Sequence, residues 1–341
     1  MSNRLEEALC AEPMRGLQKC LLFIPLVFAQ GGHLPDQNVL EDTSFDHFYN
    51  LEYDQALAGF VADARKSPES ADVQNHIAQT ILFRAMYRGG MLLSQTLTSN
   101  SSLLKMPKLE MSAADGERFT NAIGRAMELA QSRLKANPHD AAALYALGVS
   151  CGLRGNYNFA VRKAYLDALR DMASARKFHN QVTRIDPSMV DAQLTQGVYD
   201  YVVGSLSFGW RMLGFVGGVQ GNKERGLAML NRVSSDGSTN RIDATIFLAA
   251  IYRREHRPAD AICLLKPLIS LLPRNYLLRL ELAEMYGDLD DHSNALDVLN
   301  QVEQLRRAHV PGYETLNADL LRQVRERILI NIERIVTSAG G

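Results

Sequence analysis

The chain has 341 residues, of which 37 are basic and 38 are acidic, so its formal net charge at neutral pH is −1. This balance argues against a dedicated nucleic-acid-binding protein, which would normally carry a basic excess. Hydrophobic residues make up 46% of the sequence and a single residue is tryptophan. Alanine and leucine are abundant, which favours an all-α fold. At this length the chain can bury a large core or extend as a solenoid of stacked repeats.

Residues 1–29 have the composition of a leader sequence. Arg15 and Lys19 supply positive charge in front of a mostly apolar stretch that ends at Ala29. This pattern is typical of a secretory signal peptide, and the apolar stretch is too short to span a membrane. We therefore expect a signal peptide with Met14 as its candidate start, and an exported (periplasmic or secreted) protein. If the segment is not cleaved, the protein would instead be membrane-anchored or cytoplasmic.

Residues 30–44 form a spacer, and residues 45–240 have the pattern of irregular helix-turn-helix units. In the first unit, small and large apolar residues recur with the spacing of one helix face, and a proline follows them. These residues are Tyr53, Ala56, Leu57, Phe60 and Pro68. A partner helix is predicted from Asp72 to about Tyr87. It precedes a Ser- and Thr-rich break at residues 94–102, which is typical of an exposed insertion.

The most unusual pattern in this region follows Asn156. Helical periodicity continues from Asn156 to Ile185 without a break signal and ends before Pro187. Thirty residues at a rise of 1.5 Å each would span roughly 45 Å. We therefore predict one long inserted helix over residues 156–185. A further first helix of a repeat is then predicted from Val190 to Tyr201.

Residues 205–222 combine many glycines with large apolar side chains. Glycine at this density disfavours a regular helix, yet seven large apolar residues within 206–219 cannot all face water. Arg211 near the middle would cost about 2.5–3.5 kcal/mol at a bilayer centre, which disfavours a membrane span. We predict a Gly-rich helical hairpin, or a kinked helix, that packs Trp210 and Phe215 against the repeats.

The most regular part of the chain is residues 241–310, where a 34-residue pattern occurs twice. Small residues at fixed positions among large ones let the backbones of stacked helices approach closely. The recurring residues are Ala249, Tyr252, Ala261 and Leu265, which return as Ala283, Tyr286, Ala295 and Leu299. Two regular helix-turn-helix units are therefore predicted here. Residues 311–341 are predicted to form a terminal capping helix with one polar face.

This spacing resembles the tetratricopeptide repeat, whose alanines, aromatic residues and terminal proline fall at the same offsets. The resemblance covers residues 45–309 and implies an all-α helix-turn-helix repeat solenoid. The order of Gly197, Ser205, Gly214-Phe215 and Gly226-Leu227 is similar to the tetratricopeptide-repeat-domain-39 family, which includes inclusion-body clearance proteins. That family offers no catalytic residues to carry over.

Motifs that would carry chemistry are all incomplete. The segment Ser205–Gly209 lacks the first glycine of a hydrolase nucleophile elbow. Asp288, Asp290 and Asp291 lack the glycine and the distal glutamate of a calcium-binding loop, and the eight histidines form no His-x-x-x-His pair. We predict no catalytic residue, cofactor or metal ion, and an enzyme is the least favoured class of function.

Binding is the function that this architecture favours. In the resembled family, alternate positions of each first helix line a concave face, and ten residues fall there. They are Tyr145, Val149, Leu153, Leu194, Val198, Tyr201, Ile246, Ala250, Leu280 and Glu284. The family's clamp for acidic peptide C-termini needs Lys, Asn and Arg at such positions, and none is present. A mostly apolar groove is either filled by the chain itself, for example by the Trp210 segment, or open to an apolar ligand.

The sequence therefore predicts a non-enzymatic, exported helical-repeat scaffold that binds a protein or peptide partner. The alternative is a protein that binds lipid or another hydrophobic ligand at a membrane surface, as the apolar lining and the Gly-rich segment would allow. Nucleic acid is not an expected partner.

Overall fold

The computed structural model describes residues 43–92, 107–205 and 221–339, and within these ranges the chain is helical without any strand. The all-α prediction is thus confirmed. The predicted leader, the break at residues 94–102 and the Trp210 hairpin lie outside the described residues. The chain divides into two compact units, and the described part of the first ends at Phe247 while that of the second begins at Leu248. Within each unit, helices pack mainly on their neighbours in sequence, as in a helical solenoid.

The described residues of the first unit form eight complete helices and the start of a ninth. They are α1 (Ser44–Tyr49), α2 (Tyr53–Lys66), α3 (Ala71–Arg88), α4 (Ala113–Ala136), α5 (Ala141–Tyr157), α6 (Tyr165–Ile185), α7 (Gln193–Gly204), α8 (Lys223–Asp236) and α9 (Arg241–Arg254). A π-helical segment, Asn158–Arg162, follows α5, and a 3₁₀ turn, Val190–Ala192, precedes α7. The helices of the described second unit are the end of α9 and then α10 (Pro258–Leu271), α11 (Tyr276–Asp288), α12 (His292–Arg307) and α13 (Ala318–Ala339).

Polar side chains fix where several of these helices begin. Ser70, Ser112 and Asp140 each accept a hydrogen bond from the backbone N–H three residues later, at 3.0 to 3.3 Å. Asn222 does the same for α8 at 2.7 Å. These N-caps satisfy backbone donors that the first helical turn leaves unpaired. The helix predicted from Asp72 is observed as α3, one residue longer at each end.

Alanines at the predicted repeat positions lie in the core. Ala261, Ala283 and Ala295 are completely buried, as are Ala56 and Ala126 in the first unit. Because alanine projects only a methyl group, the helices that meet there can pack closely. The alanines of the 34-residue pattern therefore mark buried positions of the helices.

The prediction of one long helix over residues 156–185 is wrong. The chain reverses at Lys163, whose φ is +55°, and the N–H groups of Lys163 and Ala164 both donate to the carbonyl of Asn158. Lys163 thus has the left-handed backbone conformation that commonly ends a helix, and the chain turns there so that α6 packs back along α5.

Small residues on α5 explain why the reversal is favoured over a straight helix. A β-carbon added at Gly148 would lie 2.5 Å from Nε2 of His179, and one added at Gly155 would lie 3.3 Å from the backbone oxygen of Ala168. Because these glycines have no side chain, α6 can pack closely on α5. Folding back buries the small residues of both helices, Ala175 among them, which a single straight helix would leave exposed.

Candidate functional site

The ten residues predicted to line a concave face are all at least partly buried. Four of them are buried: Leu153, Tyr201, Leu280 and Glu284. The other six are half-buried. Glu284 is held by two ion pairs, to Arg253 and Arg327, within the second unit. Leu280 is completely buried and belongs to the core, so the half-buried residues are the ones that a partner could reach.

Tyr145 lies in a polar cluster that the sequence did not predict. Its hydroxyl accepts a hydrogen bond from Nδ2 of Asn240 at 2.8 Å. Nearby, the hydroxyl of Tyr49 donates to Asp243 at 2.9 Å, which joins helices that are 194 residues apart in the sequence. Burial raises the pKa of Asp243 to about 6, against the opposing effect of the Tyr49 hydrogen bond, and the charge of Asp191 raises it further.

Asp191 anchors the same cluster at the start of α9. Its carboxylate accepts the backbone N–H groups of Ser238, Thr239 and Asn240 at 3.0 to 3.3 Å, and the Ser238 hydroxyl at 2.6 Å. A carboxylate at a helix N-terminus is stabilised by such unpaired donors and by the helix dipole, so Asp191 has a structural role. The Tyr49–Asp243 hydrogen bond therefore places α1 next to the first turn of α9, close to the Asp191 cluster.

A second feature, absent from the sequence prediction, surrounds the reversal between α5 and α6. A cleft of about 510 Å³ lies here between α4 and α6, over the end of α5, and we call it the turn cleft. Its walls include Phe119 and Tyr157, whose rings stack with centroids 4.5 Å apart. The other lining side chains used below are Arg154, Arg162, Arg170 and Asp171.

A continuous chain of polar contacts runs along the turn cleft. Nη2 of Arg154 lies 2.6 Å from Oδ1 of Asp171, and Asn158 donates to the same carboxylate at 2.9 Å. Arg162 donates to Oδ1 of Asn158 at 2.8 Å. Arg162 and Arg170 both pair with Asp167, at 3.8 and 3.3 Å.

The turn cleft consequently carries a small positive excess. Its lining holds three arginines against two aspartates, Asp167 and Asp171. The side chains of Arg162 and Arg170 are 54% and 77% exposed, so both guanidinium groups can offer further donors to an incoming carboxylate or phosphate.

Large apolar side chains stand exposed next to the turn cleft. Tyr165, Leu166 and Leu169 are 41%, 70% and 62% exposed, and they are three of the seven exposed large apolar residues among those described. Phe159 joins them through a ring contact to Tyr165 at 5.6 Å. We call these four residues the turn patch.

The backbone around the turn patch is also unusual. The π-helical segment includes Phe159, and the left-handed Lys163 lies between Phe159 and Tyr165 in the chain. Nζ of Lys163 is 5.6 Å from the ring centroid of Phe159. Such backbone features occur preferentially at functional sites. The sequence signal was the run of Arg162-Lys163 followed by Tyr165, Leu166 and Leu169, but it marks an exposed turn only once the reversal is known.

Neither a metal site nor a membrane span is found among the described residues. In that part of the chain, no group of three or more His, Cys, Asp or Glu side chains is arranged to hold a metal ion. Each helix within the described ranges is too short or too polar to cross a membrane.

The comparisons with known proteins give no family for this chain. No protein-family model matches the sequence, and no curated protein is significantly similar to it. Function must therefore be argued from the side chains themselves.

Proposed function

We propose that the chain is a non-enzymatic, tetratricopeptide-like helical-repeat scaffold that binds a protein or peptide partner, and that it is exported if residues 14–29 act as a signal peptide. The observation that carries this proposal is the turn patch beside the turn cleft. Clustered exposed apolar side chains on a folded chain mark interaction surfaces. Tyrosine and arginine, which both lie here, are the residue types enriched at the energetic centres of interfaces.

The two parts of this surface would serve different roles. Leu166 and Leu169 would be covered by apolar side chains of the partner, and covering the exposed part of each would contribute about 1–2 kcal/mol. Arg162 and Arg170 would receive a carboxylate in a forked pair of hydrogen bonds, which fixes orientation. The half-buried concave positions, such as Val149 and Val198, stay candidates for a second contact with the same partner.

Peptide selection tests this proposal because it does not require the partner to be identified first. A displayed random-peptide library selected on the full chain should yield peptides that bind at least about thirtyfold more weakly to Leu166→Asp/Leu169→Asp. The matched control is Ile185→Asp/Leu289→Asp, which introduces the same charges at exposed apolar residues elsewhere. Selected peptides that bind all three proteins equally, or a selection that enriches nothing, would refute the proposal.

A second candidate function is docking to an anionic lipid surface. It is favoured by Arg162, Lys163 and Arg170 standing beside the apolar side chains of the turn patch, a combination that suits the boundary between headgroups and acyl chains. Flotation with phosphatidylserine vesicles and with neutral vesicles separates the two functions. Binding to anionic vesicles alone, lost in Leu166→Asp/Leu169→Asp, together with no peptide enrichment, would put the lipid function first.

A further inference from the structure

A groove in the second unit has a different character from the turn cleft. It lies between α12 and α13 and has a volume of about 630 Å³. Four arginines line it, with Leu321 at its base and one carboxylate, Glu303. The arginines are Arg306, Arg307, Arg322 and Arg325. We call it the α12–α13 groove.

The contacts within the α12–α13 groove leave its positive charge incompletely balanced. Glu303 is shared between Arg306, at 2.9 Å, and Arg307, at 2.6 Å. Hydrogen bonds from Arg306 and Arg307 lower the pKa of Glu303 to about 2, although partial burial opposes them, so this carboxylate stays ionised at neutral pH. It is thus one negative charge set between two positive ones.

The positive charge on the α13 side of the groove is even less completely neutralised. Arg322 pairs with Asp319 at 2.8 Å and with Glu326 at 3.9 Å, both on the rim. Arg325 donates to the uncharged amide of Asn300 at 2.9 Å. Counting both rim carboxylates with Glu303, four arginines still face three carboxylates. The side chains of Arg307 and Arg322 are 75% and 65% exposed.

We infer that the α12–α13 groove binds an acidic segment of a polypeptide, in which Asp or Glu side chains alternate with apolar ones. Guanidinium groups match carboxylates in a planar, two-bond geometry. Apolar contact is available chiefly at Leu329, which is 40% exposed and lies one helical turn beyond Arg325, because Leu321 itself is buried. The groove therefore complements both the charge and the apolar character of such a segment.

The shape and the chemistry of the groove favour a polypeptide over other polyanions. A planar bilayer cannot enter a groove between two helices, and recognition of nucleic acid normally uses a wider basic stripe, against which the overall charge of −1 also argues. This inference goes beyond the proposed function, because it concerns a separate surface on the other unit and names the chemistry of its occupant.

Fluorescence anisotropy with the full chain tests the inference. The probe is a fluorescein-labelled amphipathic peptide built of Leu and Glu, and its counterpart has Gln in place of every Glu. We expect saturable binding of the Glu peptide, weakening at least about tenfold in Arg322→Gln/Arg325→Gln and falling steeply with salt. The control, Arg65→Gln/Arg118→Gln, removes the same charge at exposed arginines of the first unit and should bind as the wild type does.

Several results would overturn the inference. These are no saturable binding by the wild type, equal losses in the groove variant and the control, and equal affinity for the Gln peptide. Displacement of the peptide by an oligonucleotide that binds the groove more tightly would also overturn it, in favour of nucleic acid. Binding of the Glu peptide that is lost in Leu166→Asp/Leu169→Asp but kept in Arg322→Gln/Arg325→Gln would place the peptide at the turn patch and overturn the inference. The reverse pattern supports it, so failure at the turn patch and failure at this groove can be told apart.

Discussion

Replacing His179 with leucine should remove a pH-dependent loss of stability from the first unit. The His179 side chain is 1% exposed, and neither ring nitrogen has a partner in hydrogen-bonding geometry. Burial lowers its pKa from 6.5 to about 4, and the nearby backbone of Tyr145 opposes this only in part. The folded chain therefore keeps an uncharged imidazole where the unfolded chain would already be protonated.

The sign and the size of the effect follow from proton binding. Between pH 6.5 and about 4 the unfolded state binds more protons than the folded state, so the free energy of unfolding falls as the pH falls through this window. A shift of this size corresponds to about 3 kcal/mol, fully lost below the folded-state pKa. His179→Leu cannot be protonated and should not show this loss.

The measurement must compare the variant with the wild type, because other groups titrate in the same range. His76, half-buried and with its pKa lowered to about 4 by desolvation, acts in the same direction. Asp243, with its pKa raised to about 6, instead favours the folded state as the pH falls. Urea unfolding followed by circular dichroism, at about pH 7 and about pH 4, gives the difference. The variant should gain about 3 kcal/mol relative to the wild type on acidification. A difference that stays constant with pH would refute the reasoning, and the exposed-residue variant His139→Gln is the control.

Two further predictions concern close helix packing. Gly148→Ala should destabilise the first unit by at least about 1 kcal/mol, because its new methyl group would press on the buried ring of His179. Gly124→Ala has open space around the new methyl group and should be neutral or stabilising by up to about 1 kcal/mol. Thermal melts that rank the two variants the other way would contradict the packing of α6 on α5. Ala261→Phe and Ala295→Phe should each cost about 1–3 kcal/mol or more in the second unit, since both alanines are completely buried, and unchanged urea midpoints would mean that these crossings are looser than the structure shows.

Local periodicity was enough to place most of the helices and part of the core. The alanines at 34-residue spacing, such as Ala261 and Ala295, lie in the core because small residues at helix crossings leave a short-range signature. The reversal at Lys163 has no such signature in the sequence, since the apolar stripe continues in phase across it. Only the packing of α6 on the glycines of α5 decides it, and that is a tertiary effect.

The candidate sites were harder to predict for the same reason. The turn patch becomes an exposed surface only when the chain turns back at Lys163, and an interpretation of residues 156–185 as one helix hides it. The arginines of α13 belong to the polar face predicted for the terminal helix, but the α12–α13 groove also requires those of α12, with both helices side by side. Contacts such as that between Tyr49 and Asp243 link residues too distant in sequence for any periodic pattern to connect.

The hydrogen bond from Tyr49 to Asp243 bears on how the first unit gains its cooperativity. In an open array of repeats, each unit touches only its neighbours, so the ends can fray independently and folding can begin anywhere. A bond between the first helix and the ninth closes a loop of 194 residues, and such closure becomes favourable only after the intervening helices are in place. Loss of α1 would then destabilise α9 and not only its neighbour α2, so unfolding at the two ends of this unit is coupled.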